Sequence, residues 1–251
     1  EGSGRVRAAG GAGGSGGYNN PTWTAWNYLQ HGGGGGGGGR IAIHCTTCAS
    51  LANARLDAIG AHLSGGVTID ARGGLAGHTK PLTPAEGPRR GGPGLIFAEQ
   101  NGVRTVTLAN YDDQTAVATG DANTLLVPGG APLSLDHLVL HSCVVELSSA
   151  LDVRALHAEL ASVEVKEVLR TFELLQIFSG KWTLHKAVSA GSFKVGAAAK
   201  LYSTDAATPL RLSARSLVFG GYAAAREIEL VATDATFEGN GTFDASGRGD
   251  A

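Results

Sequence analysis

From residue 133 onward, a pair of apolar residues one position apart returns at near-regular intervals: Leu133/Leu135, Leu151/Val153, Phe172/Leu174, Phe193/Val195, Leu210/Leu212 and Ile228/Leu230. Alternation at a period of two puts successive side chains on opposite faces of an extended strand. A unit of about 20 residues is too short to bury an apolar face alone and must stack on its neighbours. In four of the six units a further large apolar residue falls five or seven places after the start: Leu138 and Leu140, Leu156, Ile177 and Leu217. Phe219 and Phe237 each stand nine places on from theirs. The positions between the paired residues, Ser134, Asp152, Glu173, Lys194, Arg211 and Glu229, are all polar. Two or three short strands per coil, apolar side chains inward and polar ones outward, describe a parallel β-solenoid. Leucine-rich repeats share the period but need an Asn or Cys ladder, and Asn240 is the sole Asn after residue 123. A short covering helix over 155–171 is the alternative that the mixture of Val, Glu, Lys and Leu allows, and the β-branched Val163, Val165 and Val168 argue for strand.

The first half carries the same two-residue alternation at Ile41/Ile43, Val67/Ile69, Leu95/Phe97, Val106/Leu108 and Leu125/Val127, with Gly or Pro clusters bounding most of the segments. Residues 1–40 differ in texture: glycine runs, including Gly32 to Gly39 without interruption, flank the aromatic segment from Tyr18 to Tyr28 with Trp23 and Trp26 inside it. The expected architecture is therefore all-β. Residues 1–40 form a glycine-rich aromatic arm, and residues 41–251 form a parallel β-solenoid, or β-helix, with ends open for continuation. Divided by the repeat, that length gives about ten coils, and at ~4.8 Å per coil a stack roughly 50 Å long.

Composition removes several classes of function. A net charge of −2 gives no basic field for a nucleic-acid backbone. No apolar run approaches the ~20 residues needed to span a bilayer, so membrane insertion is not expected. Gly (39) and Pro (8) together stay below the share of roughly 25–30% that marks wholesale disorder. With Glu1 first and no Met, the chain reads as a processed product or an excerpt of something longer.

The motifs that could carry chemistry are few. Cys45-Thr46-Thr47-Cys48 is a CxxC after His44, but Cys143 is the only other Cys. A zinc site lacks its second ligand pair, and a redox site lacks its βαβ setting, so neither metal nor cofactor is expected. A disulfide is the preferred reading, Cys45 to Cys48 or one of them to Cys143. Gly32 to Gly39 lacks the Lys-Ser/Thr of a phosphate loop. Asp112-Asp113 is the one carboxylate pair placed for acid–base catalysis on a β-helix face. With no companion His-Gly, Arg-x-Lys or third Asp, it reads as a solvated turn, and no catalytic residue is assigned. Asn240-Gly241-Thr242 is an N-glycosylation sequon in a glycine corner. His78 to Gly94, with four Pro, reads as an extended surface loop open to O-linked sugars. Arg248-Gly249-Asp250 spells an adhesion tripeptide at a frequency that chance in this composition explains.

Gly66-Val67-Thr68-Ile69-Asp70-Ala71-Arg72-Gly73 is echoed by Gly241-Thr242-Phe243-Asp244-Ala245-Ser246-Gly247. With Gly37-Gly38-Gly39-Arg40-Ile41-Ala42-Ile43, these Thr-apolar-Asp-Ala-x-Gly corners resemble the glycine-rich β-solenoid segments of large extracellular proteins such as the algal flagellar-hair (mastigoneme) glycoproteins, over residues 32–74 and 228–249. The resemblance implies an extracellular or cell-surface, glycosylated, filament-forming role. Open end coils expose unpaired backbone groups that another unit must cover, and end-to-end joining makes a fibre. The expected function is thus a structural subunit of a filament or surface appendage that self-associates or joins other filament subunits, with Trp23, Trp26 and Tyr28 as assembly contacts. The alternatives are a carbohydrate-active β-helix enzyme, a polysaccharide lyase or hydrolase, and a cell-surface adhesin.

Overall fold

The computed structural model describes residues 4–12, 37–46, 61–63, 67–71, 92–110, 123–125, 132–204, 208–239 and 241–246. They form strands β1 (Gly4–Arg7), β2 (Arg40–Cys45), β3 (Ala61–Leu63), β4 (Val67–Asp70), β5 (Gly94–Gln100), β6 (Val103–Ala109), β7 (Asn123–Leu125), β8 (Leu133–His141) and β9 (Val144–Leu147). The series continues with β10 (Leu151–Glu159), β11 (Ser162–Val165), β12 (Leu169–Leu184), β13 (Val188–Ser203), β14 (Leu210–Phe219), β15 (Tyr222–Ala224), β16 (Ile228–Phe237) and β17 (Thr242–Asp244). The fold is all-β and winds into a parallel β-solenoid of about 6 turns. Residues 155–171, the segment for which a helix is the alternative, contain no helix and fall in β10, β11, β12 and the corners between them.

Each coil is made of three short runs. The inward residues of the first run pile up as Leu133, Leu151, Leu169, Val188, Leu212 and Leu230, each in register with the next. The second run stacks Leu138, Leu156, Leu175, Phe193, Leu217 and Ala235. The third stacks Val145, Val163, Trp182, Leu201, Ala223 and Phe243. These columns make one continuous apolar core along the axis.

Three expectations change. Phe172 is not an inward residue: it is 66% exposed, and the core positions of its coil are Leu169 and the buried Thr171. Phe172 lies where the register shifts between Thr171 and Leu174, a corner, and a corner residue escapes the alternation of the strands it joins. With Leu169 and Val188 in the first-run column, the coils from Leu133 to Val188 are nearly equal in length. The step from Val188 to Leu212 is the long one, because it contains the segment between β13 and β14. Phe193/Val195 belongs to the second run of its coil rather than the first. The count of about ten coils also falls to about 6, a stack of roughly 30 Å, because the N-terminal strands do not wind.

Those strands build a layer instead. β5 and β6 are an antiparallel hairpin turning through Asn101 and Gly102, both left-handed at φ 49 and 79, as a two-residue hairpin turn of the primed type requires. One side of β5, Leu95 and Phe97, packs on the solenoid core. The other side carries Ile96, which joins Ile41, Ile69 and Ala71 in a second core, so the small sheet β1–β4–β3 lies over the β2–β5 surface. The approach is close enough that a Cβ on Gly94 would stand 1.5 Å from the Ala71 carbonyl oxygen. Gly39 N–H donates to the Ala8 carbonyl at 2.7 Å, so residues at both ends of the glycine-rich segment are built into this layer.

Candidate functional site

The outward side chains form three polar surfaces, and the richest follows the corner between the first and second runs. There the coil period brings opposite charges together on consecutive coils. Arg154 stands 3.3 Å from Asp136 and 3.7 Å from Glu173. Arg104 donates its backbone N–H to Asp136 Oδ2 at 2.8 Å, and its guanidinium lies 3.5 Å from Glu99. Glu99 in turn meets His44 at 3.2 Å. The result is a ladder of alternating sign, Glu99–Arg104–Asp136–Arg154–Glu173, with His44 hydrogen-bonded to Glu99 at its end, crossing six consecutive strands of the sheet path. Two shorter rungs, Arg170–Asp152 at 3.8 Å and Arg211–Glu229 at 2.9 Å, lie on the first run. Every carboxylate in the ladder has a cation beside it. Pairs as exposed as these contribute about 0–1 kcal/mol each, so they set coil register more than they add stability.

The outer face of the second run holds Val139, His157, Gln176 and Lys194 in register on successive coils, with His137 two residues before Val139. Burial pulls the His157 pKa below its usual 6.5, the Gln176 hydrogen bond opposes this, and His137 adds to the depression by repulsion. His141, nearly buried, stands 3.6 Å from Glu159. On the third run Lys166 lies 2.9 Å from Glu146, whose carboxylate holds the ammonium above its ordinary pKa. His185 Nε2 lies 2.8 Å from Glu164, and the Lys181 ammonium sits 5.1 Å above the Tyr202 ring. Among the described residues no group of three or more His, Cys, Asp or Glu could hold a metal ion.

The remaining surface of note is the C-terminal end of the stack. β16 pairs with β14 on one side and, among the described residues, with no strand on the other. Its inward column residues are therefore uncovered: Phe237 is 56% exposed, and Ala235 is exposed beside it. Phe237 meets Phe243 edge-on at 5.7 Å, and Phe243 stacks on the fully buried Phe219 at 4.4 Å. Val231, on the outward side of the same strand, is also 56% exposed.

Of the residues singled out from the sequence, Trp23, Trp26, Tyr28, Cys48, Asp112, Asp113, Asn240 and 248–250 lie outside the described residues. Cys45 ends β2. Cys143 is a free, buried thiol, so pairing it with Cys45 or Cys48 does not describe this structure. Burial pushes its pKa up to about 12, against a backbone hydrogen bond with His141 that lowers it. The charged ladder and the polar row through His157 were missed. Their signal is in the sequence, since Asp136/Arg154 and Asp152/Arg170 both stand one coil apart, but it is visible only once the step from Leu133 to Leu151 is taken as the period. No helix among the described residues is long and apolar enough to cross a membrane. Comparison with known proteins finds no match: no family model fits the chain, and no curated protein and no solved structure matches it.

Proposed function

We propose that the chain is a structural subunit of an extracellular filament or surface appendage, assembling through the ends of its solenoid. The observation that carries this reading is the uncovered last coil. Ala235 and Phe237 continue core columns whose earlier members, Leu217 and Phe219, are buried. An apolar column left open in this way gains by taking on another layer, and the edge of β16, which pairs with no further strand among the described residues, offers the backbone groups to hold one. On the flanks, charges paired rung by rung keep most of the side surface solvated around the exposed Phe172 and Phe178, whereas the end exposes whole core columns. The sequon at Asn240 suits an extracellular setting.

The test is the mass of the purified full chain by light scattering across a wide concentration range, with negative-stain microscopy of the heaviest fraction. Growing species and rod-like particles are expected. Phe237→Asp should raise the concentration needed for assembly at least about tenfold, by placing a charge in the apolar contact. A wild-type chain that stays monomeric at every concentration overturns the proposal.

A further inference from the structure

Self-assembly through the open end leaves the opposing surface to be named, and charge names it. The last coil, residues 228–246, carries Glu229, Asp234, Glu238 and Asp244 and no Lys or Arg. Arg211 on the preceding coil compensates Glu229, while Asp234 and Glu238 are exposed beside Ala235 and Phe237. At the opposite end, residues 4–12 and 37–46, which contain β1 and β2, carry Arg5, Arg7 and Arg40 and no Asp or Glu. Among the described residues the neighbouring β3, β4 and β5 add two carboxylates, Asp70 and Glu99, against the three Arg, so the layer stays basic. A chain with a net charge of only −2 is thus polarised, acidic at its C-terminal end and basic at its N-terminal layer.

The strands complement one another as well. β2 and β16 are the two ends of the main sheet's strand path, β16-β14-β13-β12-β10-β8-β6-β5-β2. The β5–β6 hairpin reverses direction once along that path, so β2 runs antiparallel to β16. Ala42 is in register with Phe97, on the side of β5 that faces the solenoid core, and is small and exposed. A β2 strand brought beside β16 would offer backbone pairing across the seam, with the small Ala42 at its centre and Arg40 and His44 flanking it on the same side.

We infer that the open acidic end of one copy binds the basic β1–β2 layer of a second copy head to tail, with the incoming β2 adding as an antiparallel strand beside β16. This rests on the assembly reading above and gives it a direction. Such a contact uses two different surfaces and does not close on itself, so repeating it makes a polar filament. Tail-to-tail pairing would set acidic coil against acidic coil, and like charges facing each other across an interface are strongly unfavourable.

A charge exchange tests the direction. Asp234→Lys/Glu238→Lys reverses the charge of the two exposed residues beside Phe237, and Arg7→Glu/Arg40→Glu makes the head acidic. Each variant alone then opposes like charges at the seam and should need at least about tenfold more protein to assemble than wild type. Mixed in equal amounts, the charge-reversed edge of one tail meets the acidic head of the other, and assembly near the wild-type concentration should return. Circular dichroism checks the fold first, and Glu238→Lys alone replaces the double tail variant if that loses its β signal. If wild type assembles but either variant assembles equally well alone, or the mixture does not recover, the head-to-tail contact is wrong while the assembly reading stands. If wild type never assembles, the assembly reading itself falls.

Discussion

Gly180 turns the corner between the second and third runs of its coil at φ 106, and a Cβ there would stand 2.0 Å from the Ala161 carbonyl oxygen. Neither the backbone angle nor the space admits a side chain. Gly180→Ala should cost about 2–4 kcal/mol, read as a lower denaturant midpoint. The two phenylalanines that the sequence pattern treats alike should separate just as clearly. Phe193 is 1% exposed in the middle of its column, and Phe193→Ala should cost about 3–5 kcal/mol. Phe172→Ser at the exposed corner should change stability by no more than about 0.5 kcal/mol. His157 adds a pH dependence. Its folded pKa lies below the unfolded value near 6.5, chiefly through burial. Its contribution is therefore fully present above that value and is lost as pH falls toward the depressed one, where the neutral ring must take a proton. His137, Gln176, Lys194 and Glu159 share its face; His137 opposes a second positive charge there, and the Gln176 hydrogen bond favours one without outweighing burial. Denaturation midpoints measured from pH 7.5 down to 5 should fall less steeply in His157→Gln than in wild type.

Within the elements, the runs were legible and the corners were not. Alternation placed Leu133, Leu151, Val195 and Leu212 correctly inward because a strand imposes a period of two over its whole length. A corner inserts residues that restart the phase. Ser142 and Leu160 turn in left-handed conformations at φ 47 and 51, one coil apart, although neither is a residue type that advertises such a turn. The surrounding hydrogen bonds hold them there: Ser142 N–H donates to the Glu159 carbonyl at 3.0 Å, and Leu160 N–H to Ser179 Oγ at 2.8 Å. These partners come from the next coil, so a single-coil reading cannot supply them. The Asn101-Gly102 turn, by contrast, carries the residue pair that marks a hairpin and could have been read directly. Cys143, just after the Ser142 corner, gives this region a probe. Buried and with its pKa raised to about 12, its thiol should resist alkylation at pH 8 and react only at the rate of opening of the coil, as peptide mass spectrometry would follow.

For the whole molecule, the sequence revealed that the chain stacks but not how much of it winds. The segments from Ile41 to Leu108 carry the same two-residue alternation as the rest, yet β5 folds back on β6 and β1–β4–β3 becomes a separate covering sheet. Pattern alone cannot tell a strand laid on the coil below from one laid across its face. The candidate surfaces were legible in proportion. The open end follows from the solenoid itself, whereas the acidic and basic ends emerge only when the N-terminal strands are known to sit opposite the last coil. The ladder Ser134, Asp152, Arg170, Ser189, Ser213 and Val231 runs in register from the first complete coil to the last. Spin labels at Ser134→Cys paired in turn with Ser189→Cys, Ser213→Cys and Val231→Cys, with the native Cys replaced, measure that ladder by electron–electron resonance. The expected backbone separations rise in equal steps of ~4.8 Å, to roughly 14, 19 and 24 Å before the label arms are added. Separations that fail to grow with coil number, or that place residue 231 nearer to 134 than 189 is, would contradict the winding on which everything else depends.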